Sequence, residues 1–255
     1  MIVFVSDTPE YTAPTNAMLI NNALHAKNAH VVYDMNVNCV GMVVAMDQVS
    51  RVIKTDPKIK HALLVGSLFV SSIARDDDIF TYSAVADAAV AIVLKHTQDE
   101  VKRGVIDSAY FTDSKDSHIV LSPVCGMSKV LLNYDVDLND RKLLQRPLDA
   151  SFFSINWAKL VKNLLSAHNL VPDDIDYYFF SQYTKTEVMK TAALLGVDFE
   201  EKFVYVGDKY GYTGNTSPVL AYHEAYATGL LEQNQKYIFC SVGTGCIMSA
   251  VLYIS

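Results

Sequence analysis

Three observations predict an α/β protein. Short apolar or β-branched runs alternate with segments of helical periodicity along the whole chain. About half of the residues are hydrophobic (51%) and only 19% are charged, which suits a packed core rather than a disordered chain. The apolar runs have the length of buried strands; the longest, residues 88–94, follows Asp87 and is far short of a membrane span. With 255 residues the chain has room for one large domain or two small ones.

Taken in order, residues 1–6 read as a buried strand, 16–24 as a helix and 30–36 as a β-branched strand with a polar end. Residues 40–53 carry helical spacing through Val44, Met46 and Val49, and 62–69 and 88–94 are two further apolar strands. The middle is weaker. Residues 102–111 and 118–121 are strand candidates, and the charged stretch 135–146 reads as a surface connection. Residues 152–168 form a strong helix pattern, stopped by Val171-Pro172-Asp173-Asp174. An aromatic strand (176–180), a helix (185–195), a glycine-punctuated loop (207–214) and a helix (216–230) follow. The last two strands, 236–241 and 246–253, are joined by Val242-Gly243-Thr244-Gly245 and read as a hairpin. Residues 1–130 and 131–255 are expected to be two halves of similar form: strand, polar residues, helix. Residues 31–37 before Cys39 are the expected counterpart of the strand before Thr184.

Charge and cysteine usage narrow the function classes. A formal charge of −7 and a pI of about 5.4 argue against a nucleic-acid surface. The apolar start Met1-Ile2-Val3-Phe4-Val5 has no basic segment before it and is cut short by Asp7, unlike a targeting signal, so neither a membrane nor an export route is indicated. Cys39, Cys125, Cys240 and Cys246 show no zinc-type spacing, and reduced thiols in the cytoplasm are expected.

Cys39 is the principal candidate for chemistry. It lies between a predicted strand and helix in Asn36-Val37-Asn38-Cys39-Val40-Gly41, where the positive end of the helix dipole favours a thiolate and Gly41 leaves room for a substrate. A thiolate exchanges acyl groups with thioesters readily. On the residues alone a buried core cysteine is the favoured reading.

Five stretches in order resemble the β-ketoacyl-acyl-carrier-protein synthase III family: Thr8-Pro9-Glu10-Tyr11, Asn38-Cys39-Val40-Gly41, Asp87-Ala88-Ala89, Gly214-Asn215-Thr216-Ser217 and Val242-Gly243-Thr244-Gly245. The resemblance spans nearly the whole chain and implies a thiolase-like fold, two related mixed-sheet halves layered with helices, with the first half incomplete. It implies an acyltransferase of fatty-acid or polyketide-type biosynthesis that takes an acyl group from a coenzyme A or carrier-protein thioester onto Cys39. It also implies a homodimer, with acyl-CoA or acyl carrier protein as partner and no permanently bound cofactor or metal. By the same resemblance Asn215 helps stabilise the enolate of a malonyl thioester, and the backbone N–H groups of Cys39 and Thr244 form an oxyanion hole.

The chain departs from that pattern in two places. Where the family carries a catalytic histidine this sequence reads Ser181-Gln182-Tyr183-Thr184. Ser181 or Gln182 can donate a hydrogen bond to an oxyanion, but neither becomes a charged donor as histidine does. Thr184 opens Thr184-Lys185-Thr186-Glu187, a helix capping box. Condensation is the step most affected. Family members also carry a strand, helices and a loop before the position of Met1, so a truncated product or a separate chain supplying that segment is expected. A partner-dependent, non-catalytic subunit is the alternative reading. His25, His30, His61, His96, His118 and His168 are scattered, and His223 beside Glu224 reads as a helix-face residue. Phe69, Phe80 and Tyr82 are candidates for setting pocket width.

Overall fold

A computed structural model describes residues 1–98 and 101–255, with the side chain of Phe80 outside that description. The chain begins with β1 (Ile2–Val5), α1 (Asn16–Ala23) and β2 (Val32–Met35), then turns through a 3-10 segment at Asn38–Val40 into α2 (Gly41–Thr55). β3 (His61–Leu68), a short α3 (Ile79–Ser83) and β4 (Ala88–Lys95) follow. β1 is parallel to both β2 and β3, while β4 is antiparallel to β3, giving a first sheet in the order β2-β1-β3-β4.

The connection contains β5 (Gly104–Thr112), β6 (Val120–Leu121), α4 (Met127–Leu132) and β7 (Leu144–Gln145); β6 and β7 pair as a two-stranded ribbon. The charged stretch 135–146 is therefore part surface connection and part ribbon. Next come α5 (Ser151–Ser166), β8 (Tyr177–Phe180), α6 (Lys185–Leu195) and two single-turn helices, α7 (Phe199–Lys202) and α8 (Gly207–Tyr210). A second 3-10 turn at Gly214–Thr216 leads into α9 (Ser217–Ala227), and the chain closes with β9 (Lys236–Gly243) and β10 (Ile247–Ile254).

The second sheet runs β5-β10-β9-β8, with β8 parallel to β9 and antiparallel pairing on both sides of β10. β5 thus belongs with the last strand of the chain, and the sheet changes between residues 95 and 104. A division at residue 130 separates β5 from its own sheet. The reason lies in its apolar face: Ile106, Ala109 and Phe111 pack into the core built around α5.

The core is layered. Along β8 and β9 successive side chains alternate between two cores: Tyr178, Phe180, Ile238, Cys240 and Val242 face α5 and α6, while Phe179, Tyr237 and Phe239 face α2 and α9. Burial on both faces explains why these strands read as continuous apolar runs. On the other side of α2, Val3, Val5 and Leu64 of the first sheet close the same core, and Ala17 of α1 packs with Ile2 and Phe4 outside it. The order is helix, sheet, helix pair, sheet, helix.

The two sheets repeat one plan. β1, α1, β2, 3-10 turn, α2, β3, β4 corresponds to β8, α6, a bridge at Phe203, 3-10 turn, α9, β9, β10. Helix α2 is therefore the counterpart of α9, not of the helix after Thr184. β8 matches β1 rather than β2, so the strand before Thr184 is not the counterpart of the one before Cys39. In the second sheet β5 covers the outer edge of β10, whereas the equivalent edge of β4 carries no strand among the described residues. Val93 on β4 is 63% exposed.

Candidate active site

The turn that carries Cys39 is held from several sides. Asn38 adopts φ +51°, a left-handed conformation that asparagine tolerates, and its N–H donates to Asn36 Oδ1 at 2.9 Å. Gly41 opens α2 against β1: a Cβ there would meet Val5 Cγ1 at 2.5 Å, so only glycine permits this approach. At the far side a Cβ on Gly243 would lie 2.9 Å from the Val37 carbonyl oxygen, and the Ser241 hydroxyl donates to the Cys39 carbonyl at 2.9 Å. β9 thus grips the cysteine turn directly. Pairing of Gly243 with Ile247 shortens the expected hairpin connection to Thr244, Gly245 and Cys246.

Cys39 opens into a cavity of about 190 Å³ whose wall also includes Asp7, Asn38, Tyr183, Tyr212, Gly243, Thr244 and Gly245. The rest of the wall is largely apolar: Leu68, Val70, Ile73, Val85, Ile119, Val120, Leu143, Leu148, Phe152 and Phe153. Phe69 and Tyr82 are 53% and 69% exposed and do not line it. Phe152 and Phe153 are the phenylalanines that do line it.

Cys39 borders the cavity and is half-buried, and desolvation by burial pushes the thiol up to about 12. The neighbouring Asp7 charge adds to this rise, and the adjacent Tyr212 hydroxyl offsets part of it. Desolvation outweighs the helix-terminus effect expected from the sequence, and the resting sulfur is a thiol.

Sequence reasoning missed two of these side chains. Asp7 stands at the C-terminal end of β1, where ligands of parallel sheets commonly bind. Its pKa is raised by burial, and its Oδ1 is enclosed with no hydrogen-bond partner among the described residues. Tyr212 lies in Gly211-Tyr212-Thr213-Gly214, clamped by backbone bonds to Ala84 and Ala86, with its ring edge-on to Tyr183 at 5.3 Å. Burial holds its hydroxyl well above the usual phenol range, with Cys39 the next cause. The available signals were a carboxylate ending an apolar strand and an aromatic residue flanked by glycines.

The remaining candidates divide. Asn215 is 1% exposed, and its turn packs against the Cys39 turn, but its Nδ2 donates to the Ser67 carbonyl at 3.0 Å while Oδ1 has no partner among the described residues. Ser181 is fully buried with its hydroxyl beside that of Tyr212. Gln182 does not serve as an oxyanion donor. Its Nε2 donates to the carbonyls of Phe180 (2.8 Å) and Val204 (3.4 Å), and its Oε1 accepts from the N–H groups of Val206 (2.8 Å) and Gly207 (3.1 Å). Both halves of the amide are committed to backbone, so Gln182 is a strut. Thr184 caps α6 by accepting from the Glu187 N–H at 3.3 Å. Thr8 accepts from Phe69 N–H at 2.8 Å, and Asp87 accepts from Ser71, so these two sequence stretches brace the loop after β3. His223 is exposed on α9, and His168 is paired with Asp107 at 2.9 Å.

Residues 33–114 match the family described as 3-oxoacyl-[acyl-carrier-protein (ACP)] synthase III, and residues 165–254 match its C-terminal part. The chain is 26% identical over 245 residues to the β-ketoacyl-[acyl-carrier-protein] synthase III of Rickettsia rickettsii, covering 96% of this chain and 74% of that protein. It is 26% identical over 253 residues to the synthase III of Wolbachia pipientis wMel, covering 99% and 76%. The crystal structure of 3-oxoacyl-[acyl-carrier-protein] synthase III from Aquifex aeolicus superposes with a TM-score of 0.86 at 20% identity, over all of this chain and 76% of that one, which shows the shared thiolase-like fold. Two matched segments, relatives aligned almost end to end on this chain and a common fold give one conclusion: the chain belongs to the 3-oxoacyl-[acyl-carrier-protein] synthase III family.

Proposed function

We propose that Cys39 accepts an acyl group from a coenzyme A or carrier-protein thioester and passes it to an acceptor, with the cavity's apolar wall holding the acyl chain. One observation carries this reading: the Cys39 sulfur and the Gly243–Thr244–Gly245 turn face one enclosed, mostly apolar space. In that arrangement the backbone N–H groups of Cys39 and Thr244 serve as oxyanion donors. The Asn215 turn packs against the Cys39 turn, but Asn215 does not line the cavity and its Nδ2 donates to the Ser67 carbonyl, so a role toward an enolate rests on the family resemblance alone. Ser181 stands where the family resemblance calls for histidine and supplies only a neutral hydroxyl beside Tyr212. Losing one oxyanion donor costs about 3–4 kcal/mol in a transition state. Acyl transfer is therefore the stronger activity and decarboxylative condensation the weaker.

The test separates the two half-reactions. With acetyl-CoA alone, release of free coenzyme A thiol in stoichiometric amount supports the first step. With malonyl carrier protein added, release of CO2 and a β-ketoacyl product reports the second. Absence of thiol release with every acyl donor refutes the reading.

The family resemblance also supports a cytoplasmic homodimer, measured by sedimentation; no helix among the described residues is long and apolar enough to cross a membrane. A second reading, a subunit completed by another polypeptide, is favoured by the open outer edge of β4. The strand that β5 supplies to β10 marks the place and antiparallel direction such a segment would take. Activity that appears only when a second chain is added would select this reading.

A further inference from the structure

We propose that Asp7 is the general base for Cys39, a catalytic carboxylate that takes the thiol proton and returns it to the leaving thiolate. The inference rests on the acyl-transfer reading above and deepens it. Asp7 and Cys39 border the same cavity from different elements, the end of β1 and the turn before α2, and Tyr212 lines it beside the thiol. Asp7 Oδ1 is buried with no hydrogen-bond partner among the described residues, and the cavity of about 190 Å³ that Asp7 and Cys39 share has room for a water between carboxyl group and thiol.

The electrostatic argument is that of a coupled pair. The two groups act on each other through charge rather than through a direct hydrogen bond. Forming a thiolate by releasing the proton to solvent would leave two negative charges in one dry pocket. Moving the proton from sulfur to Asp7 keeps a single negative charge there throughout, which avoids that repulsion. The thiolate then attacks the thioester carbonyl carbon, forming the new C–S bond. As the tetrahedral adduct collapses, the old C–S bond breaks, the leaving thiolate takes the proton from the Asp7 carboxylic acid, and the carboxylate is restored. No oxidant, reductant or further reactant is consumed. The Tyr212 hydroxyl beside the sulfur favours its charged form and eases the developing thiolate.

Other titratable groups on this cavity are Tyr183, Tyr212, Asp116 and Cys246, so the assignment needs a readout tied to Cys39. The experiment is iodoacetamide alkylation of Cys39, followed by peptide mass over a pH series, in the wild type, Asp7→Asn and Tyr212→Phe. If Asp7 is the base, the wild-type rate levels off once Asp7 is ionised and stays flat through neutral pH. Asp7→Asn then reacts about 10²-fold more slowly at neutral pH, in proportion to hydroxide. If Asp7 only repels the thiolate, Asp7→Asn reacts faster at neutral pH, and the wild type shows no plateau; either result overturns the proposal. If Asp7→Asn folds poorly, a plateau that survives in Asp116→Asn supports Asp7 as the base, and a plateau lost in Asp116→Asn overturns the assignment. A wild-type plateau with no acyl transfer from any thioester leaves the base assignment standing and refutes the acyltransferase reading. A Cys39 that resists alkylation at every pH refutes both.

Discussion

Replacing Gln182 with alanine removes a side chain that bonds four backbone groups and touches none of the cavity. Two of its bonds are short and fully buried, to the Phe180 carbonyl and the Val206 N–H, each at 2.8 Å. The bond from Gly207 N–H at 3.1 Å is partly buried, and the one to Val204 at 3.4 Å is weak. A buried group left without its partner costs about 1–3 kcal/mol. Two such groups, with Gly207 partly rescued by solvent, predict a loss of about 2–6 kcal/mol. The assay is urea unfolding followed by far-ultraviolet circular dichroism. With a slope near 3 kcal/mol per molar urea, the midpoint should fall by about 1 M. Acylation of Cys39 in the remaining folded fraction should be within about twofold of wild type, since the amide reaches no reacting atom. A midpoint shift below about 0.2 M, a small fraction of the cost of two orphaned groups, would refute the strut assignment. Loss of acylation at unchanged stability would restore Gln182 to a chemical role.

Gly66→Ala places a Cβ 2.7 Å from Met42 Cγ and 2.9 Å from Asn215 Oδ1, so Asn215 or Met42 must move. Overpacking of this kind costs about 1–3 kcal/mol, read from thermal unfolding, and should slow the Cys39 reaction through the displaced Asn215 turn. Phe152→Ala removes a large side chain from the cavity wall and should shift acyl preference toward longer chains, measured as the ratio of kcat/KM for a long and a short acyl thioester. Alkaline stability tests the buried thiol. Its folded pKa of about 12 lies above the ordinary value of 9.0, so its contribution is intact below pH 9 and is lost as pH rises toward 12. Cys39→Ala should lose less stability than wild type across that window, in paired urea titrations at successive pH values.

Local pattern made most of the fold readable. Buried strands such as β8 and β9 announce themselves as apolar runs, and the hairpin of β9 and β10 follows from its glycines. The helix after Thr184 matches residues 185–195 at both ends because a threonine cap and a left-handed Gly196 punctuate it. What the sequence could not reveal was pairing at long range. β5 reads as a strand, yet nothing in its residues says that its neighbour is β10, the last strand in the chain, and this is why the boundary between halves was misplaced. The same limit applies to the site. Cys39 and the glycine turn were found through motif order, but Asp7 and Tyr212 are 32 and 173 residues from Cys39 and meet it only in the folded chain. Gln182 shows the opposite error: a polar residue at a family catalytic segment looked chemical until its backbone partners were seen.

The central claim is that one sulfur in an enclosed apolar pocket becomes the acyl carrier. Intact-protein mass after brief exposure to a short acyl-CoA tests it most directly. A gain equal to one acyl group in the wild type, mapped to the peptide containing Cys39 and lost in Cys39→Ala, is the predicted result. No gain with any acyl thioester, or an equal gain in Cys39→Ala, would contradict the account.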